Sequence, residues 1–155
     1  SKSFSLKEAT FSSTAARHGI SNQPDDRQLK NMIVAATRLQ LLRDRLGEPI
    51  KVTSWLRTKE LNAIIPGSSK TSAHMDGYAI DCHIDGMDPY RLCKFAQDYL
   101  TDANIPFDQI IHEYGSWMHI SFDPKGREQT LTIFKNIQGK SYLPGILTQT
   151  EYLAK

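Results

Sequence analysis

At 155 residues the chain has the length of one domain with a single substantial core. Its formal charge of +2 comes from 19 Lys and Arg interleaved with 17 Asp and Glu, which gives no basic patch for nucleic acid. No apolar run approaches the ~20 residues that span a bilayer, and none follows Lys2 as a secretory signal would, so the expectation is a protein made in the cytoplasm without export by the usual route.

Phe4–Ala9 and Ser13–Gly19 read as short helical turns. Asn22–Asp26 supplies a turn and a helix N-cap. From Arg27 to Leu46, Leu29, Met32, Ile33, Ala36, Leu39, Leu42 and Leu46 recur at helical spacing, and Gly47 stops the helix. Ile50–Trp55 alternates as a strand, followed at once by Arg57 and a short helix over Lys59–Ile65. A polar loop, Ser68–Thr71, leads to a strand over Tyr78–Ile84. Asp88-Pro89 is an N-cap with Pro at the first helical position, opening a helix to Leu100. Phe107–Tyr114 and Trp117–Phe122 flank Gly115-Ser116 as a hairpin. Thr130–Ile137 suggests a further strand, and a tail from about residue 138 is expected to wrap the domain. The fold class is α+β, a small mainly antiparallel sheet with helices packed against it. Cys82 and Cys93 form no Cys-x-x-Cys pair and are expected as buried free thiols, Cys82 being turned away from Asp81 by strand alternation.

The chemistry concentrates in Ser72–Asp81, S-A-H-M-D-G-Y-A-I-D. His74 and Asp81 are half of a metal site, with Gly77 between them to let the chain turn. His119 offers a third ligand, and Glu113 lies six residues before it. Neutral imidazole nitrogens and a carboxylate oxygen suit zinc, and such a site lowers the pKa of water toward ~7. Hairpin parity leaves the partner acid open. A two-residue turn pairs His112 with His119, whereas a three-residue turn carrying a bulge pairs Glu113 with Trp117 and sets Glu113 on the face of His119. Chemistry favours Glu113, because a carboxylate can take a proton from water and deliver it to a leaving amine. Arg57 is either a surface charge or a two-pronged donor to a carboxylate or oxyanion. Ser72 either caps the turn or donates to substrate, His83 shares the strand face of Asp81, and His18 and His112 are assigned structural roles.

The order Ser72-x-His74-x-x-Gly77-x-Ala79-x-Asp81, then Glu113 and Trp117-x-His119, resembles the signature of the zinc D-Ala-D-Ala carboxypeptidase family. That family includes VanY-type enzymes and phage L-alanyl-D-glutamate endopeptidases. Thr53-Ser54-Trp55-Leu56-Arg57 with Leu61-Asn62 is similar to the family's TSGYR and LN segment, with Trp55-Leu56 in place of Gly-Tyr, a departure that leaves the zinc site intact and changes what the family has at the substrate-side wall. Phe107–Ile111 and Trp117–Phe122 are similar to its FDQLI and WVHVSF strands, and Ala15–Ile20 to the phage and prophage members.

The resemblance implies zinc held by His74, Asp81 and His119, with Glu113 as base and acid. It implies substrate or transition-state contacts from Arg57 and Ser72, and it selects the bulged turn. The expected protein is a monomeric zinc peptidase with a hedgehog-like or DD-peptidase-like site. It cleaves the stem peptide of peptidoglycan at the periplasm or cell wall as a phage endolysin. The competing expectation is a non-catalytic zinc-binding module of the wall or virion, since the hedgehog signalling domain carries a similar site and acts as a ligand.

Overall fold

The computed structural model describes residues 1–135 and 141–155. Side-chain caps set the helix starts. Ser5 accepts from the Glu8 amide to open α1 (Leu6–Thr10), and Ser12 accepts from the Ala15 amide to open α2 (Ser13–Arg17). The long helix α3 (Asp26–Leu46) begins with a reciprocal capping box between Asp25 and Gln28 and ends at Gly47, whose φ of 71° is left-handed. Its apolar stripe is wider than the face the sheet covers. Met32, Ala35, Ala36, Leu39 and Leu42 are buried, while Leu29 and Ile33, expected in the core, are 36% and 58% exposed. Ala35, a small residue that the spacing alone did not single out, is fully buried with them.

Helix α4 (Lys59–Ile64) is capped by Thr58, and α5 (Pro89–Asp102) by Asp88 with Pro89 at its start. Among the described residues the six strands are β1 (Lys51–Ser54), β2 (Ala79–His83), β3 (Gln109–Glu113), β4 (Trp117–Ser121), β5 (Gln129–Ile133) and β6 (Leu143–Pro144), in the order β1-β2-β4-β3-β5-β6. All neighbours are antiparallel except β3 and β5. The parallel pair follows from a short crossing over the start of β3. There the Arg127 guanidinium donates twice to Asp108, its backbone N–H donates again, and the Gln129 amide bonds the Asp108 carbonyl. Strand β5 therefore starts beside Gln109 and runs with β3. The part of the expected Thr130–Ile137 strand from Asn136 on lies outside the described residues. Beyond it, β6 adds to β5, and α6 (Gln149–Ala154) buries Tyr152 against Phe134.

The period of two along each strand separates the two faces of the sheet. Ile80, Cys82, Ile110, Met118 and Ile120 point to one side, where residues of α3 and α5 complete the apolar core. Asp81, His119, Ile111 and Glu113 point to the other. Both cysteines are buried and unbridged, and burial pushes each thiol above its ordinary pKa, so neither is a reactive thiolate at neutral pH. Among the described residues no helix is long and apolar enough to cross a membrane.

Candidate metal centre

Strand register brings two of the site's side chains together. Asp81 on β2 lies directly opposite His119 on β4, and the His119 Nδ1 is 2.9 Å from Asp81 Oδ1. A one-turn 3-10 helix, Ala73–Asp76, delivers His74 to the same place. Its stop is Gly77, at φ 83°, and a Cβ there would sit 2.7 Å from Met32 Cγ and 2.9 Å from the Gln28 carbonyl oxygen. Only glycine lets the turn lie this close to α3 and feed directly into β2.

His74 Nε2 faces Asp81 Oδ2 at 3.4 Å, and donor atoms of His74, Asp81 and His119 all lie within 4.8 Å of one another. The donor set fits zinc on two further grounds. His74 Nδ1 lies 2.6 Å from the Trp55 carbonyl oxygen, which can only accept, so Nδ1 carries the proton and Nε2 presents its lone pair to the cluster. The site is also nearly dry, with His74 2% and Asp81 7% exposed. Burial opposes charge on Asp81, yet the facing His74 and His119 hold its carboxyl well below the usual carboxylate range. Burial keeps the His74 imidazole below its ordinary value despite Asp81. Against burial, the Asp81 hydrogen bond draws His119 upward. A divalent cation would give the buried carboxylate the same compensation.

The hairpin places Glu113 on this face. Ile111 pairs with His119 and Glu113 with Trp117 across a three-residue turn, Tyr114–Ser116. The expected bulge sits at the turn. Tyr114 at φ 58° and Gly115 at φ 64° make the reversal, the Ser116 amide closes it on the Glu113 carbonyl at 3.0 Å, and Ser116 and Trp117 thus both oppose Glu113, beyond which the pairing runs without a shift. Glu113 Oε1 lies 3.9 Å from His119 Nδ1. Burial pushes its carboxyl up to about 7, with His119 and Arg57 opposing and Asp81 adding to the rise.

Arg57 is not a surface charge. Its side chain is 18% exposed, Nη2 is 3.6 Å from Asp81 Oδ2, and Nε is buried with no hydrogen-bond partner among the described residues. Ser72 does the capping of its two alternatives, accepting from the His74 amide at 3.2 Å, and its residue also lines the groove. His83 does not join the cluster, because it lies at the end of β2 with Nε2 3.3 Å from Asp85. His18 bonds the Thr14 carbonyl at the surface, and His112 is buried on the core side with Nδ1 bonded to the Leu147 carbonyl.

Trp55-Leu56, which replaces the family's Gly-Tyr, does not line the groove beside the cluster. Both residues are 2% exposed in the core, and the Trp55 indole donates to the Gly77 carbonyl at 2.9 Å. No residue-type pattern signals that a backbone carbonyl at this position orients His74. The cluster opens into a groove of about 610 Å³. The Ile65–Ala73 stretch and Arg57 line it, as do Asp108, Gln109 and Arg127, and Tyr114, Trp117 and Tyr142. Tyr142 lies in the tail, where no motif pointed to the site.

The family model for peptidase M15 matches residues 2–121, a span that holds the three clustered donors, Glu113 and Arg57. No curated protein matches the sequence. With that match covering most of its length, the chain belongs to the peptidase M15 family of zinc metallopeptidases, the VanY-like zinc D-Ala-D-Ala carboxypeptidase family.

Proposed function

We propose that this metallopeptidase hydrolyses an amide bond in the peptide stem of bacterial peptidoglycan. The observation that carries the reading is the convergence of His74, Asp81 and His119 within 4.8 Å on the same face as Glu113 and Arg57, in an open groove. His74, Asp81 and His119 hold zinc, which supplies a Lewis acid and eases the ionisation of water. Glu113 takes the proton of the attacking water and returns it to the departing amine, so its carboxyl must hold a proton between the two steps. Burial in the groove favours that protonated form. Arg57 offers its guanidinium to the oxyanion that develops on the carbonyl, its buried Nε having no hydrogen-bond partner among the described residues. Ser72 borders the substrate path while holding the turn that presents His74.

The similarity of Ala15–Ile20 to phage and prophage members supports a lysis enzyme of the endolysin type, acting as a monomer on periplasmic or wall peptidoglycan. The test is digestion of purified muropeptides by the wild type and by Glu113→Ala, with the products weighed by mass spectrometry. Release of D-Ala, or scission between L-Ala and D-Glu, identifies the bond and is expected of the wild type alone. Equal release by both proteins removes the role assigned to Glu113. No release by the zinc-loaded wild type removes the peptidoglycan reading.

A further inference from the structure

The family match ends at residue 121, yet Tyr142 lines the same groove as Glu113, Tyr114 and Trp117. Its place there is built. The Tyr152 hydroxyl donates to the carbonyl of Ser141, the residue before it, at 2.9 Å, and Leu143, the residue after it, pairs with Thr132 of β5. Thr132 accepts from the Leu147 amide and donates to the Gly145 carbonyl, and His112 binds the Leu147 carbonyl. These bonds tie the tail to the core side of the sheet. Strand alternation then turns Tyr142 to the opposite, groove side, in line with Ile133 and Glu113.

Tyr142 is nonetheless 47% exposed, so its ring is not consumed by packing. Its neighbours in the groove are themselves fixed. Tyr114 and Trp117 meet edge to face at 5.5 Å, and the Lys135 ammonium lies 5.7 Å from the Tyr114 ring centre. The Trp117 Nε1–H is buried with no hydrogen-bond partner among the described residues. Burial and the nearby Glu113, Tyr114 and Asp81 raise the Tyr142 hydroxyl, which stays neutral and able to donate.

We infer that Tyr142 is a substrate-positioning and specificity-determining residue, forming with Tyr114 and Trp117 an aromatic wall that holds the peptide on the Glu113 side of the scissile bond. The ring supplies a flat apolar surface for a short side chain and the peptide plane. The inference rests on the peptidoglycan-peptidase reading for its substrate and on the tail's attachment for its geometry.

The test compares wild type, Tyr142→Ala, Tyr142→Leu, Tyr142→Phe and Tyr152→Phe on one stem peptide. Losing an aromatic contact raises KM about five- to tenfold in the Ala and Leu variants, with kcat within about threefold of wild type. Zinc content and unfolding temperature stay as in the wild type, since the ring is half-exposed and outside the donor cluster. Tyr142→Phe keeps the wild-type KM within about twofold because it keeps the ring, and Tyr152→Phe raises KM by freeing Ser141. A wild-type KM in both Tyr142→Ala and Tyr142→Leu overturns the inference. If the wild type cleaves no stem peptide, the peptidase reading fails separately, and equilibrium binding of the same peptides decides. Weaker binding by Tyr142→Ala upholds the wall, and equal binding, or none by the wild type, overturns it.

Discussion

Trp55 holds His74 from both ends of the turn that carries it. Its carbonyl accepts the His74 Nδ1–H at 2.6 Å, and its indole donates to the Gly77 carbonyl at 2.9 Å. Replacing Trp55 with Phe keeps the first bond and deletes the second, leaving a buried carbonyl unpaired. The expected cost is about 1–3 kcal/mol of stability, with zinc affinity reduced by up to about tenfold through a looser His74. Urea unfolding and zinc competition with a chromophoric chelator measure the two effects. Wild-type values in both would mean that the indole does not support the turn.

Glu113→Gln removes the carboxylate proposed as the proton acceptor with almost no change in shape. We expect kcat on a cleaved peptide to fall by about 10²–10⁴. Zinc content should not change, because Glu113 is not one of the three donors that lie within 4.8 Å of one another. A variant that loses its zinc along with its activity would instead place Glu113 among the ligands.

Asp81 supplies the only carboxylate in the buried donor set. Asp81→Asn therefore lowers zinc affinity by more than about tenfold, measured by competition at fixed pH. Chelation of the wild type should abolish activity and lower the unfolding temperature, and added zinc should restore both, because metal bound only by the folded chain stabilises it by mass action. Identical unfolding curves with and without chelator would count against this site as the zinc site.

Acid stability should depend on Asp108. The residue is 2% exposed, and although burial alone would raise its carboxyl, the hydrogen bonds from Arg127 hold it below the usual value. A depressed folded-state pKa gives stabilisation that is complete above the unfolded value of about 3.9 and is lost as pH falls through the folded one. Arg127→Ala is expected to be less stable at pH 7 by about 1.5–3 kcal/mol. The gap between the two proteins should narrow below about pH 4 as Asp108 protonates. Urea midpoints recorded across that range check this, and a gap that stays constant with pH would show that Arg127 acts through something other than the Asp108 charge.

Much of this molecule was readable locally. Asp25, Thr58 and Asp88 are caps whose partners lie two or three residues away, so their helices could be recognised from short segments. His74, Asp81, Glu113 and His119 were legible as residue types, because few side chains offer neutral nitrogen and carboxylate donors. Their meeting was a harder matter. Glu113 reaches the face of His119 because the three-residue turn Tyr114–Ser116 pairs it with Trp117, and side-chain alternation alone allowed either outcome.

What the sequence by itself determined is therefore the chemistry at hand: a His, Asp and His donor set, a carboxylate beside it and a guanidinium nearby, on strands and helices with clear local signals. The tertiary structure alone decided that Trp55 turns into the core and orients His74 through its carbonyl. It also decided that β5 runs parallel to β3 from the Asp108 and Arg127 clasp, and that the tail returns Tyr142 to the groove. The physical reason is range. Caps and periodicity are settled within a few residues, whereas a backbone carbonyl, a strand neighbour and a returning tail acquire their roles only from partners about 20 to 35 positions away.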